Sequence, residues 1–98
     1  MNLNLNYEGF EEYLVVRREL NDGIQYQFRF PNDRGASVIK SPYSHAHEYD
    51  KWELAVVRWR DNDYELDYHG GITGNCDCIH VWLDDKEVRD LLKQIKEL

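Results

Sequence analysis

The residues with the strongest capacity for chemistry in this chain form the run Cys76-Asp77-Cys78-Ile79-His80. Residues two apart in an extended chain point to the same side, so both thiols and the imidazole would share one face. Thiolate and imidazole are ligands that zinc prefers, and His45 or His47 could complete a tetrahedral site. The one-residue gap between the cysteines differs from the two-residue gap of zinc knuckles, however, and we predict free thiols. The alternative is a zinc site that uses Cys76, Cys78 and His80.

Catalytic groups are the next possibility. Cys78, His69 and Asp77 supply the residue types of a nucleophile, a base and an orienting acid, but any small chain offers as much by chance. The sequence holds no nucleophile elbow, phosphate-binding loop, HExxH run or dinucleotide fingerprint. With 19 acidic residues in 98, neighbouring carboxylates are unavoidable, so no acid–base pair stands out. We predict that the protein is not an enzyme and uses no cofactor.

An acidic row is the first candidate binding surface, comprising Asp61, Asp63, Glu65 and Asp67. Alternate residues of a strand recur about every 6.7 Å on one face. Carboxylates at that spacing could imitate a phosphate backbone and occupy the basic groove of a nucleic-acid-binding protein. Arg58 and Arg60 would lie opposite two of the four and neutralise half of the row. The alternative is therefore an internally paired, solvated sheet face.

A segment without regular pattern, residues 41–50, is the second candidate surface and is rich in Ser, Tyr and His. Loops of this length carry variable contacts, and exposed aromatic side chains often anchor interfaces. Because histidine titrates near neutral pH, binding through this loop should depend on pH in that window. A neutral connector is the alternative. We predict partner contacts here from Tyr43, His45, His47 and Tyr49.

Composition limits the classes of protein that this chain can form. Its 98 residues, 42% of them hydrophobic and 13% aromatic, suffice for one small core, so we predict a single domain over residues 1–98. The formal net charge of -7 argues against direct binding of nucleic acid and favours a basic protein partner. The chain lacks an apolar run of about 18 residues and the basic, then apolar start of a signal peptide. We therefore expect a soluble protein with no membrane segment.

Apolar–polar alternation predicts a β-hairpin over residues 13–30. The alternating apolar residues are Ile24, Tyr26, Phe28 and Phe30. A two-residue loop at Asp22-Gly23 would set Phe28 opposite Arg17, whereas a three-residue loop pairs Val16 with Phe28. We predict the three-residue loop, with Gly23 in the left-handed conformation. A turn over residues 31–35 then leads to a third strand over residues 36–40.

A second hairpin and a C-terminal helix complete the predicted fold. Strands over residues 52–60 and 63–68, joined by Asp61-Asn62, would place Trp59 against Tyr64 on the core face. A short apolar strand, or an extended approach, over residues 78–83 leads into the helix. Its start combines a capping box of Asp84 and Glu87 with a hydrophobic staple of Leu83 and Val88. We predict an α+β fold, a mostly antiparallel sheet of about five strands with the C-terminal helix packed on its apolar face.

Three blocks of the chain are similar in type and order to a group of small proteins encoded by bacteriophages and prophages. They are the turn Phe30-Pro31-Asn32 followed by Gly35-Ala36-Ser37-Val38, the strand Glu53-Leu54-Ala55-Val56, and the terminal helix. The resemblance implies a phage gene product that acts in the bacterial cytoplasm. Since this group has no settled activity, the resemblance assigns no catalytic residue.

We therefore expect a phage-encoded accessory protein that binds a host protein and inhibits or redirects it. An anti-CRISPR or other anti-defence factor is the most concrete form, with a nucleic-acid-binding host protein as the partner of the acidic row. Two other functions stay open. One is an assembly protein that self-associates through an exposed edge strand, and the other is the small zinc-binding protein described above.

Overall fold

A computed structural model describes residues 3–20, 22–40, 51–67 and 78–98. Every strand pairing in these ranges is antiparallel, with strand order β1-β2-β3-β4-β5 and β6 beside the first half of β4. The α+β prediction is confirmed. After a 3-10 turn at Glu11–Tyr13, the elements are β1 Leu14–Leu20, β2 Gly23–Arg29, β3 Arg34–Lys40, β4 Trp52–Arg60, β5 Asp63–Leu66, β6 Ile79–Leu83 and α1 Asp85–Lys96.

The start of α1 is decided locally and follows the predicted capping box. The carboxylate of Asp84 accepts a hydrogen bond from the Glu87 backbone N–H at 2.7 Å, and the Glu87 side chain accepts one from the Asp84 N–H at 3.1 Å. Two of the N–H groups that a helix start leaves without partners are thereby satisfied. The helix then buries Val88, Leu92 and Ile95 against the sheet. Among the described residues, no helix has the length and apolar character that crossing a bilayer requires.

The core lies between α1 and one face of the sheet. It is built from alternate residues of the central strands, since side chains two apart share a face. The N-terminal segment covers one end of it, where the Leu5 N–H donates to the Tyr26 hydroxyl at 3.2 Å and the Tyr7 ring packs 5.8 Å from that of Phe28. The fully buried sheet residues on this face are Ile24, Tyr26, Phe28, Ala36, Val38, Trp52, Leu54 and Val56.

The predicted core face of the second hairpin is the face turned away from α1. Val57 and Trp59 are buried, as predicted, but the residues of β4 that join the core beneath the helix are Trp52, Leu54 and Val56. A central strand covered on both sides carries apolar residues at odd and even positions. Alternation therefore could not show which of the two faces of β4 meets the helix.

The predicted three-residue loop of the first hairpin is wrong. Leu20 pairs with Gly23, so residues 21 and 22 connect the strands, and the left-handed residue is Asp22, with φ 62°. Between Val16 and Leu14 the register shifts by one residue, a β-bulge that returns Leu14 to the core face opposite Phe28. Aspartate tolerates the left-handed region better than most residues, which allows the tighter turn.

The shifted register changes which residues of β1 face the core. Val16 and Arg18 lie opposite Gln27 and Gln25, on the face away from α1. The sheet curls towards that face. The Gln25 amide shows this, since it lies 3.3 Å from the Tyr64 hydroxyl although β3 and β4 separate their strands. Three strand spacings of about 4.8 Å would keep the two strands well apart in a flat sheet.

Candidate functional site: two surfaces for a partner

The acidic row lies on the β4–β5 hairpin, whose predicted register is confirmed. Arg58 pairs with Glu65 and Arg60 with Asp63 across the two strands, and Asp61 adopts φ 54° in the connecting turn. Asp61, Asp63 and Glu65 are exposed. We call these three carboxylates the acidic hairpin.

Asp67 does not share this exposed surface, which corrects the predicted four-residue row. Its side chain is 5% exposed, and its Oδ2 lies 3.7 Å from Nε of Arg34. The Asp67 N–H donates to the Val56 carbonyl at 3.0 Å, which holds the backbone against β4. Oδ2 is buried and accepts no hydrogen bond from the described residues, and Arg34 is the cation beside it in that part of the chain.

Arginines accompany the exposed carboxylates of the acidic hairpin. Arg60 forms a 3.1 Å ion pair with Glu65, the diagonal neighbour rather than the residue directly opposite. The Arg29 guanidinium donates to the Asp61 carbonyl and pairs with Asp33 at 3.3 Å. This balance of charge agrees with the internally paired face that the sequence offered as the alternative, and it reduces the likeness to a phosphate backbone.

Several candidates from the sequence lie outside the described residues: Tyr43, His45, His47, Tyr49, His69, Cys76 and Asp77. Cys78 is a free thiol buried in the core, and His80 pairs with Leu54 on the same sheet face. Within the described ranges, no three His, Cys, Asp or Glu side chains gather as a metal site would require. The zinc alternative and the loop contacts therefore stay predictions.

An apolar surface on β6, which the sequence reasoning missed, is the second candidate. It consists of Ile79, 48% exposed, Val81, 39% exposed, and Trp82, 56% exposed. We call these residues the β6 patch. Large apolar side chains that lie side by side on a surface often mark an interaction site, whereas isolated ones carry no such meaning. The available sequence signal was the tryptophan in an apolar run directly before the helix start.

A β-bulge creates the β6 patch. His80 pairs with Leu54 and Leu83 with Trp52, so Val81 and Trp82 together lie opposite the single residue Glu53. In a regular strand, His80 and Leu83 are three residues apart and would point to opposite faces of the sheet. The bulge lets Leu83 reach the core, where it is 7% exposed, and leaves the tryptophan at the surface.

Trp82 adopts an unfavourable backbone conformation at this position. Its φ is 62°, in the left-handed region, which costs a bulky residue about 1–2 kcal/mol. Glycine or asparagine would adopt the same conformation at a lower cost. An indole that is 56% exposed thus occupies a position where local stability favours a different residue.

Carboxylates flank the β6 patch. Glu53 lies opposite it on β4, and Asp84 follows it in the chain. The hydrogen bond from the Glu87 backbone N–H lowers the pKa of Asp84, and Lys51 contributes in the same direction. Asp84 is therefore ionised at neutral pH, and it places a carboxylate at the border of the patch, with Lys51 close to it.

Searches against protein-family models, curated protein sequences and solved structures returned no match for this chain. The fold and the two surfaces define its class as an antiparallel α+β protein with an apolar patch at one edge strand.

Proposed function

We propose that this protein is a binding factor that attaches to another protein through the β6 patch and inhibits or redirects it. In the form that the phage resemblance suggests, the partner is a protein of the bacterial host. An anti-CRISPR or other anti-defence factor is one such case. The phage part of the proposal depends on the resemblance, and the choice of surface depends on the geometry of β6.

The observation that carries the proposal is Trp82. Tryptophan is among the residues that contribute most to binding when buried at an interface. Here it is 56% exposed and has a left-handed backbone. Outliers of this kind persist where the surroundings impose them, and they cluster at binding sites. A partner that buries the indole would recover the cost of its exposure.

The chemistry of the patch describes the partner surface that would fit it. Ile79, Val81 and Trp82 require an apolar depression, and the ionised carboxylate of Asp84 favours a basic group at the edge of it. The net charge of -7 increases the rate of association with such a surface and makes that rate depend on salt.

The acidic hairpin is a second candidate contact, favoured by the exposure of Asp61, Asp63 and Glu65 on one turn. The neighbouring arginines argue for a smaller role. We assign these carboxylates to the rim of an interface, where charges affect association more than dissociation.

The test is a substitution that should weaken binding without lowering stability, compared with a matched control. Trp82→Asn replaces the indole by a residue that tolerates φ 62°, so the fold should be at least as stable as the wild type. A tagged wild-type protein would capture partners from lysate of the bacterial host. Each captured partner would then be purified and titrated calorimetrically with the wild-type protein and with W82N. We expect W82N to weaken the affinity by about 30-fold or more, which is typical of a dominant interface tryptophan.

Leu98→Ser is the matched control, because Leu98 is 47% exposed and lies two residues beyond the end of α1. It should leave the affinity unchanged. Unchanged affinity for W82N would reject the β6 patch, and a loss confined to D63N/E65Q would transfer the function to the acidic hairpin. Sedimentation velocity over a concentration series tests the alternative that the protein self-associates as an assembly protein. Self-association that W82N abolishes would make a second copy the occupant of the patch.

A further inference from the structure

The sheet face opposite α1 contains a cleft of about 630 Å³, separate from both partner surfaces proposed above apart from Asp63 at its rim. Four strands contribute to it, and the curl of the sheet gives it depth. The volume is within the range of about 300–1,000 Å³ that is typical of small-molecule sites. The side chains that matter most for its chemistry are Val16, Arg18, Gln27, Arg29, Trp59 and Tyr64.

Arg18 is held in place by a network of uncharged side chains. Its Nε donates to Oε1 of Gln25 at 2.8 Å, and Gln27 donates to the same oxygen at 3.1 Å. The Gln25 amide nitrogen lies 2.8 Å from the Ser37 hydroxyl, which fixes the other end of that side chain. Gln25 and Gln27 are both 6% exposed, so this network is part of the folded structure rather than of its mobile surface.

Arg18 lines the cleft and has hydrogen-bonding groups that the network does not use. Within the described part of the chain, its two terminal amino groups make no hydrogen bond. A guanidinium oriented through Nε presents these groups as a planar fork, which matches the two oxygens of a carboxylate or phosphate. Because the network has already oriented the fork, less conformational freedom is lost when an anion binds.

Aromatic and apolar groups form the wall beside this fork. The rings of Trp59 and Tyr64 pack with their centroids 5.0 Å apart, and the Arg29 guanidinium lies 5.5 Å from the centroid of Trp59. Val16 adds an aliphatic surface. A flat ring is the ligand group that such a wall accommodates best.

The charge of the cleft is opposite to that of the protein. The chain has a formal net charge of -7, yet the cleft combines two arginines with one carboxylate, Asp63. Arg29 is partly compensated by Asp33 at 3.3 Å, so Arg18 is the principal cation available to a ligand. A guanidinium with unused donors in the lining favours anions over cations of the same shape.

We infer that this cleft binds a small anion that joins a flat ring to one carboxylate or phosphate group. The Arg18 fork would bind the anionic group, and the Trp59–Tyr64 wall would contact the ring. Neither contact involves the β6 patch, so the inference stands or falls independently of the proposed partner.

The experiment uses two pairs of probes that share a ring and differ in charge: 2-naphthoate with 2-naphthamide, and adenosine monophosphate with adenosine. Each is titrated into the ¹⁵N-labelled full chain at low salt, and the indole N–H signal of Trp59 is followed by NMR. We expect one or both anions to shift this signal saturably and to bind about ten-fold more tightly than the neutral partner. Which pair responds separates a carboxylate from a phosphate ligand.

Arg18→Gln should remove the preference for the anion, and Arg18→Lys should restore only part of it because lysine lacks the fork. Arg17→Gln is the matched control, since it changes the net charge equally on the neighbouring residue of the opposite sheet face. The inference is overturned if no probe shifts the Trp59 signal, if charged and neutral probes bind equally, or if R17Q and R18Q have the same effect.

Discussion

The indole Nε1 of Trp59 donates a 2.9 Å hydrogen bond to the backbone carbonyl of Phe28, from β4 to β2 across the intervening strand. The residue of β3 between them is Gly35, which pairs with Arg29 on one side and Val57 on the other. A Cβ at this position would lie 1.8 Å from the Phe28 oxygen and 2.7 Å from Nε1. The glycine of the GASV block is therefore required so that Trp59 can close over the sheet.

Gly35→Ala should destabilise the protein by about 3 kcal/mol, because it both overpacks the sheet and separates a buried donor from its acceptor. Urea unfolding followed by far-UV circular dichroism measures the change. The substitution Trp59→Phe should cost less in the G35A background than in the wild type, since the hydrogen bond would already be lost. Strictly additive costs would show that the indole bond and the glycine are energetically independent.

Asp84→Ala should destabilise the domain at neutral pH because the first turn of α1 loses its cap. Asp84→Asn should retain most of the stability, since asparagine caps almost as well as aspartate. Thermal unfolding of the three proteins at pH 7 gives the comparison. A cap without structural importance would give equal melting temperatures for D84A and D84N.

The same residue makes part of the stability depend on pH. The pKa of Asp84 is lower in the folded protein than in the unfolded chain, because the ionised carboxylate accepts the Glu87 N–H. Its contribution is fully present above the ordinary aspartate pKa of about 3.9, and it is lost as the pH falls through the folded value. Unfolding free energies between pH 7 and pH 2 should fall less steeply for D84N than for the wild type. Parallel curves would contradict this assignment.

Arg34→Met should destabilise the fold by about 2 kcal/mol, because it leaves the Asp67 carboxylate buried without its cation. The double substitution R34M/D67L should recover much of this loss, since an apolar pair avoids the buried charge. Chemical unfolding measures both variants. If R34M alone matches the wild type, solvent rather than Arg34 compensates the charge of Asp67.

Asp22→Gly should be more stable than Asp22→Ala by about 1 kcal/mol, because residue 22 has a positive φ that glycine adopts without steric cost. Differential scanning calorimetry of both variants tests this. The reverse order would favour the three-residue loop, in which Gly23 is the left-handed residue and position 22 is not.

Two elements whose signals lie within a few residues were predicted correctly. The β4–β5 register follows from the turn at Asp61-Asn62, and the start of α1 follows from Asp84 and Glu87. The register of β1 on β2 was wrong because a bulge at residue 15 offsets the tighter turn, and both registers produce an acceptable alternation on β2.

The candidate surfaces were predicted less well, since exposure depends on segments distant in sequence. The alternate spacing placed Asp67 beside Glu65, but Arg34 and the backbone of β4 hold it in the interior. The β6 patch depends on a bulge that no sequence pattern in Ile79–Leu83 predicts. The cleft depends on curling, which brings Tyr64 of β5 to Gln25 of β2.

The sequence by itself determined the fold class, the acidic charge, the second hairpin and the capped helix, because turn geometry and capping act over three or four residues. Only the tertiary structure decided which face of β4 meets α1, that Asp67 is buried, that Trp82 is presented to solvent, and that Arg18 lines a cleft. These features arise from packing between strands and from bulges that change the direction of side chains. Their energies depend on neighbours that alternation along a single strand does not identify.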